Sequence, residues 1–249
     1  MKDDLGNRMK EQYENRTRYY LPRRTYTIIR VDGKAFHTFT KSFQKPFDSN
    51  LIYAMNETAK GMCEEIEGSQ FAFVQSDEIS ILVTDFSKTK TQAWFDGNLQ
   101  KICSVSASMA TAIFNYVFNQ MGFGLLPACF DSRVFTIPDA VEVENYFVWR
   151  QKDWTRNSIQ LVGQAHFSHK ELHGKSQADI QDMLMLQKGV NWNDYATRLK
   201  RGRIVKYMGK DISHLQKEKT YKWLVDSEIP VFTQNRDYLR ELIPTPGYD

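Results

Sequence analysis

The chain has 249 residues, 41% hydrophobic and 25% charged. This composition is ordinary for a globular protein and is enough for one large domain or a domain with an appendage. A formal net charge of +3 excludes any argument for nucleic acid from bulk charge, so local clusters must carry it. The three cysteines, Cys63, Cys103 and Cys129, form no CxxC pair, which argues against a zinc ribbon or a disulfide framework and for a reducing compartment.

Residues 3 to 20 are polar and helical in pattern, with Met9, Tyr13 and Tyr20 as candidate anchors, and Leu21-Pro22 breaks them. The charged start holds no secretory signal, and no apolar run reaches the roughly 20 residues of a membrane helix, so we expect a cytoplasmic protein with no membrane partner. Thr25 to Val31 reads as a strand, because Tyr26, Ile28, Ile29 and Val31 are of the types strands prefer. Asp32-Gly33 then signals a turn. Asp48 is a candidate N-cap for a helix whose apolar stripe runs from Leu51 to Ile66, with Gly68 at its end. Phe71 to Val74 and Ile79 to Val83 flank the polar Gln75-Ser76-Asp77-Glu78 and predict a hairpin. A second helical stripe runs from Leu99 to Val117, with small residues in its middle that let it lie close on a sheet, and ends at Gly122 and Gly124. Short strands are expected at Ala128 to Phe130 and Arg133 to Thr136, around Asp131-Ser132.

The order so far is β-α-β-β-α-β, the ferredoxin-like arrangement, in which the first and third strands are neighbours. Asp32 at the end of one and Asp77 at the start of the other would then meet. The second half is mostly helical. Pro138, Asp139 and Glu142 open a helix through Asn145, Trp149 and Asp153 with a start like a capping box. Ser176 and Asp179 open another. Residues 198–210 pass from a helix end into a basic strand that Tyr221 to Val225 can pair with, and Arg236 to Leu242 form a last short helix. We therefore expect an α+β fold: a catalytic domain over residues 1–137, and a mainly helical, basic extension over 138–249 packed on it across a soft boundary.

Asp32 and the Asp77-Glu78 pair carry the chemical case. Two aspartates on adjacent strands can hold two magnesium ions ~4 Å apart, the Gly33 carbonyl being a further hard oxygen ligand. Alone, Asp32 reads as a turn residue and Asp77 as a hairpin tip; their joint placement in this strand order is what brings the metal reading level with that one. Arg30, Lys34, Lys41 and Lys45 flank the first aspartate and can neutralise a triphosphate, or be plain solvated surface. His37 can hydrogen-bond a nucleotide, Phe36 and Phe43 can stack on a base or fill the core, and Ser76 can donate to phosphate or shape the turn. His166, His169 and His173 share helical spacing, but no carboxylate or cysteine completes a zinc site. Arg150 and Asn157 lie in a dense polar helix. Arg198, Lys200, Arg201, Arg203, Lys206 and Lys210, interleaved with Tyr195 and Tyr207, fit RNA-backbone contacts or a lysine-guarded edge strand.

The motifs IRVDGKAFHTFTK, KPFD, FVQSDEISILV, FDSRVF and ENYFVWRQKDWTRNSI, in this order, resemble the tRNA-histidine guanylyltransferase family, closest to its bacterial and archaeal branch of 3′–5′ polymerases. They cover roughly residues 25 to 160, and RLKRG resembles the family's later Lys/Arg-Gly motif. The resemblance implies a polymerase-like palm working in reverse, a homotetramer, and tRNA, GTP, ATP and other NTPs as partners. It implies that Asp32, Asp77 and the Gly33 carbonyl bind two magnesium ions with Glu78 as a supporting acid. Asp32, Gly33, Lys34, Ala35, Phe36, His37, Ser76 and Asp77 would line the nucleotide site, with Lys45 and Asp48 nearby and Arg30 on the triphosphate. Eukaryotic members carry His-Ile-Asn-Asn after the WRQ-x-D stretch. Here Trp154-Thr155-Arg156-Asn157-Ser158 stand in its place, and the missing histidine favours template-directed repair of tRNA 5′ ends over guanylate addition to tRNA-His. Two other functions fit the same residues: a nucleotide cyclase or signalling-dinucleotide synthase on the same palm, and a non-catalytic RNA-binding module.

Overall fold

A computed structural model describes residues 3–123, 127–208 and 222–246. Gly124, Lys210 and Tyr221, named above, lie outside the described residues. The strands are β1 (Tyr26–Gly33), β2 (Ser69–Gln75), β3 (Glu78–Val83), β4 (Phe130–Ile137), β5 (Arg203–Met208) and β6 (Lys222–Asp226). They form one antiparallel sheet in the order β4-β1-β3-β2-β5-β6. The first four strands stand in the order of a split βαβ unit, and β5 and β6 extend the same sheet beyond β2.

Side-chain alternation decides which helix covers which face. Ile29, Val31, Ile79 and Ile81 join the core made with α3 (Ser49–Glu65) and α4 (Leu99–Gln120). Ile28, Phe71, Phe73 and Leu82 point the other way, into a second core with Val143, Tyr146 and Phe147 of α5 (Ala140–His166). Both faces of β2 and β3 are thus covered, which explains their unbroken apolar runs. Each large side chain buried this way contributes about 1.5–3 kcal/mol. Beyond the sheet, the end of α5 packs on α6 (His169–Leu172) and α7 (Gln177–Lys188) through Ile159, Val162, Leu172, Ile180 and Leu184.

Several local expectations change. The N-terminal helix α1 (Asp4–Gln12) stops short, and Met9, Tyr13 and Tyr20 are exposed rather than anchored. Strand β1 continues through Asp32 and Gly33, because both stay in the ladder opposite Asp131 and Phe130 of β4. The turn comes after them, where Ala35 takes a left-handed conformation (φ 55°) and opens the short helix α2 (Phe36–Phe39). Residues 130–137 form one strand rather than two, since Ser132 pairs with Val31 and its hydroxyl meets that of Ser106 on α4 at 2.7 Å. As expected, Asp48 caps α3, accepting from the amides of Asn50 and Leu51, and Asp139 caps α5, accepting from that of Glu142. The short helices α8 (Thr197–Arg201) and α9 (Asp237–Arg240) flank β5 and β6 in sequence. Among the described residues, no helix is long and apolar enough to cross a membrane.

Candidate active site

The site is built where β1, β3 and β4 end together. In the ladder Asp32 stands directly opposite Glu78 on β3 and Asp131 on β4. The β2–β3 hairpin turns on two residues, Ser76 and Asp77, with Gln75 paired to Glu78. The amide of Gly33 donates to the Asp77 carbonyl at 3.1 Å, which ties the hairpin tip to the end of β1. Directly opposed residues have Cβ atoms about 4.5–5.5 Å apart, so the ladder packs carboxylates side by side.

Their electrostatics differ. Glu78 is buried and neutralised: Arg150 Nε donates to Oε1 at 2.8 Å and Nη2 to Oε2 at 2.6 Å, and Gln75 Nε2 (3.0 Å) and the Ser80 hydroxyl (3.3 Å) add to Oε1. Among the described residues, Asp32 has no such partner. Burial, then the charges of Glu78 and Asp131, push its pKa up against the opposing pull of Arg30 and Arg133. Burial first, then Asp32, push Asp77 up to about 6. Two hard oxygen donors whose ionised forms oppose each other suit a cation that interacts with both. Among the described residues no group of three or more His, Cys, Asp or Glu side chains is placed to hold a metal ion. A metal here would be held by two carboxylates and a backbone carbonyl, a set that leaves positions for phosphate oxygens and water.

Next to Asp77 opens a cavity of about 410 Å³, within the usual size of small-molecule sites. Gly33, Ala35, Phe36 and His37 line one side, Lys45 and Asp48 another, and Ser76 and Asp77 close it. Gly33 leaves room for the Phe36 ring, which a Cβ would approach to 2.2 Å. That ring is held by Phe39, Phe114 and Phe130 with centroids 4.9, 5.6 and 5.1 Å away, so Phe36 is a wall rather than a stacking platform. Asp48 uses its carboxylate on the amides of Gln44, Asn50 and Leu51, which shapes the rim. Lys45 Nζ donates to the Thr40 carbonyl at 2.9 Å. Arg30 and Lys34 do not line this cavity. Arg30 lies on the α5 side, its Nε buried without a hydrogen bond and 4.0 Å from Glu78, and Lys34 is exposed.

Residues 6–138 match the family described as tRNAHis guanylyltransferase, Thg1. The chain belongs to the Thg1 family. The tRNA(His) guanylyltransferase of Debaryomyces hansenii is 30% identical over 236 residues, covering 85% of this chain and 86% of that protein. A bacterial Thg1-like protein solved in complex with ATP superposes with a TM-score of 0.87 at 45% identity, over 96% of this chain and 99% of its own. One solved in complex with GTP gives 0.82 at 42% identity, over the same shares. This Thg1-family chain is thus a nucleotidyltransferase on a palm-like α+β fold, as its motifs imply.

Two Thg1-chain residues expected at an RNA surface are not there. Arg150 is buried because its guanidinium closes on Glu78 and Asp153. Arg203 is buried because β5 sets it opposite Val74 on the inner sheet, where its Nε donates to Asn56. Lys200 and Arg201 turn onto the carbonyls of Asn193 and Ile229. Arg198 and Asn157 remain exposed.

The sequence reading missed the Arg150–Glu78 pair and Leu161, which lines the cavity from α5. Arg150 shares a dense motif with Gln151, whose amide also bridges the chain, to the carbonyl of Pro230 and the amide of Phe232. Polar residues crowded at helical spacing were the available signal, and they marked internal connections rather than a surface.

Proposed function

We propose that the protein extends tRNA 5′ ends in the 3′–5′ direction, adding the nucleotide that pairs with the opposite strand. The observation that carries this reading is the end of β1 against β3: Asp32 stands opposite Glu78, the Gly33 amide donates to the Asp77 carbonyl, and Gly33 and Asp77 line a nucleotide-sized cavity. Relatives solved with ATP and with GTP support a nucleoside triphosphate as its ligand. Residues 1–137 carry the chemistry in this reading. Residues 138–249 buttress it, α5 holding Glu78 in place, and the working assembly is a homotetramer.

Asp32, Asp77 and the Gly33 carbonyl would hold two magnesium ions, whose part is to neutralise phosphate charge and make the attacking hydroxyl more acidic. Gly33, Ala35, Phe36, His37 and Ser76 position the triphosphate, Lys45 lines the same cavity as a cation for its oxygens, and Asp48 keeps the rim closed. In the first step an oxygen of the RNA 5′-monophosphate bonds to the α-phosphorus of ATP or GTP, and the bond to pyrophosphate breaks. In the second, the 3′-hydroxyl of the incoming NTP bonds to the activated 5′ phosphorus, the nucleoside monophosphate leaves, and the hydroxyl proton passes to solvent. An RNA that begins with a 5′ triphosphate needs only the second step.

The stretch Trp154 to Ser158, which holds no histidine, buries Trp154 and Ser158 and exposes Arg156 and Asn157. This supports template-directed repair over dedicated guanylate addition. A panel of 5′-truncated tRNAs with labelled NTPs tests the reading. We expect each added base to follow the complementary template base. Addition of G opposite every base would replace repair with tRNA-His maturation, and cyclic product from NTPs without RNA would replace polymerisation altogether.

A further inference from the structure

Helix α5 divides its polar and aromatic residues between two environments. Arg150, Gln151 and Trp154 are buried, while Trp149, Lys152 and Arg156 are exposed. A large aromatic surface left in water is the informative case, because burial is what such a side chain gains most from. Trp149 is 53% exposed, and it is still held in place. The Arg150 guanidinium lies over its ring at 4.5 Å, and the Tyr146 ring meets it with centroids 5.9 Å apart. Tyr146 in turn meets Phe135 of β4 at 5.6 Å, and its hydroxyl is hydrogen-bonded to that of Ser80 at 2.9 Å. Phe135 is itself 36% exposed. An aromatic run thus leads from the edge strand of the sheet to Trp149.

Trp149 also lines a cavity of about 510 Å³, together with Lys152, Asp153, Thr155, Arg156 and Gln177. Asp153 does not make this cavity acidic, because its carboxylate is paired with Arg150 and Arg156. The same Arg150 ties the cavity wall to the catalytic end of the sheet. Its Nη2 donates to Asp153 at 3.1 Å and to Glu78 at 2.6 Å, and Glu78 stands opposite Asp32. On β4, alternation puts Arg133 on the same side as Phe135, in register with Arg30, so positive charge continues toward Asp32. Exposed rings set among lysine and arginine are the combination that single-stranded nucleic acid takes.

We propose that this aromatic and basic ledge holds the unpaired RNA strand that lies opposite the growing 5′ end, with Trp149 stacked on one of its bases and Lys152 and Arg156 against its phosphates. The inference rests on the reading that the protein extends RNA 5′ ends. An aromatic ring reaches only bases that are free of their own stack, so the interior of a duplex is not the ligand. Nor is the recessed 5′ end, because its phosphate goes to Asp32 and the face of its terminal pair must stay open to the incoming nucleotide. What is left is the overhanging template side. Every base has a π-face, so stacking holds this strand without selecting its sequence, as template-directed addition requires.

Two RNA hairpins with the same stem test this, one blunt and one with a short 3′ overhang that recesses its 5′ end and carries 2-aminopurine, whose fluorescence falls when it stacks. We expect the full native chain to bind the overhang hairpin roughly tenfold more tightly than the blunt one, the effect of about one stacked base, and to quench the probe. W149L should abolish both effects and raise the KM for the overhang hairpin without raising that for the NTP, whereas W149F should keep most of each. A Trp149 that serves only the fold would instead lower the unfolding temperature and weaken both hairpins alike. Equal binding of the two hairpins by the native chain, a probe that stays bright in the complex, or an overhang preference kept in W149L overturns the proposal. Nucleotide addition to the overhang hairpin then leaves the polymerase reading standing. An overhang preference that depends on Trp149, with no addition by the native chain, supports the ledge and overturns the polymerase reading.

Discussion

Arg150 closes on Glu78 with two hydrogen bonds, at 2.8 and 2.6 Å, between side chains only 7% and 8% exposed. The carboxylate directly opposite Asp32 is therefore already neutralised by a buried partner. Breaking one half of a buried pair strands the other charge. R150A should cost roughly 3–5 kcal/mol of stability, whereas the double variant R150M/E78Q should recover most of that loss. Urea unfolding of the three proteins measures it, and additive losses in the double variant would show that the two residues do not act as a pair.

Asp32 and Asp77 crowd each other in a partly buried site. D32N and D77N should each reduce nucleotide addition on the order of 10³-fold, since charge stabilisation at the phosphates is lost. Neither should lower the unfolding temperature measured in chelator, because the substitution relieves a like-charge contact. A cooperative loss of fold in either variant would assign these residues to structure instead.

Gly33 supplies clearance that its neighbours need. In G33A the new methyl would meet Phe36, whose ring is boxed by Phe39, Phe114 and Phe130. Overpacking of this kind costs roughly 1–3 kcal/mol. We expect a lower unfolding temperature together with a raised KM for the nucleotide, because the same ring walls the cavity. An unchanged KM would mean that Phe36 yields without moving the nucleotide site.

Glu144 offers a pH signature away from the active site. It is buried on α5 and accepts hydrogen bonds from Arg236 and Arg240. Burial alone would raise its pKa, but the two arginines outweigh it and hold the carboxyl below its ordinary value. A lowered folded-state pKa gives stability that is present above the unfolded value of about 4.3 and lost as pH falls through the folded one. E144Q should therefore melt below the native protein at pH 7, and the gap should close in acid. A constant gap from pH 7 to pH 3 would separate this residue from the acid dependence.

The strand–helix order, a hairpin between Val74 and Ile79 and the caps Asp48 and Asp139 were legible from residue types and spacing, while the ladder tightened the turn from four residues to Ser76-Asp77. Each depends on local chemistry: β-branched runs, turn residues, and side chains that satisfy free amides at a helix start. So did the aspartates, because the order β-α-β-β-α-β already makes β1 and β3 neighbours. What escaped were the pairings across long stretches of chain. Arg150 and Arg203 looked like surface cations because charge is normally solvated. Their burial follows from α5 crossing one face of the sheet and β5 extending the other edge, which brings Arg150 onto Glu78 and Arg203 under α3. A cation's partner is a matter of position in space, and no local pattern encodes it. The sequence by itself thus determined the fold class and the carboxylates. Only the tertiary structure decided which charges are neutralised inside the molecule and which buried donors still lack an acceptor.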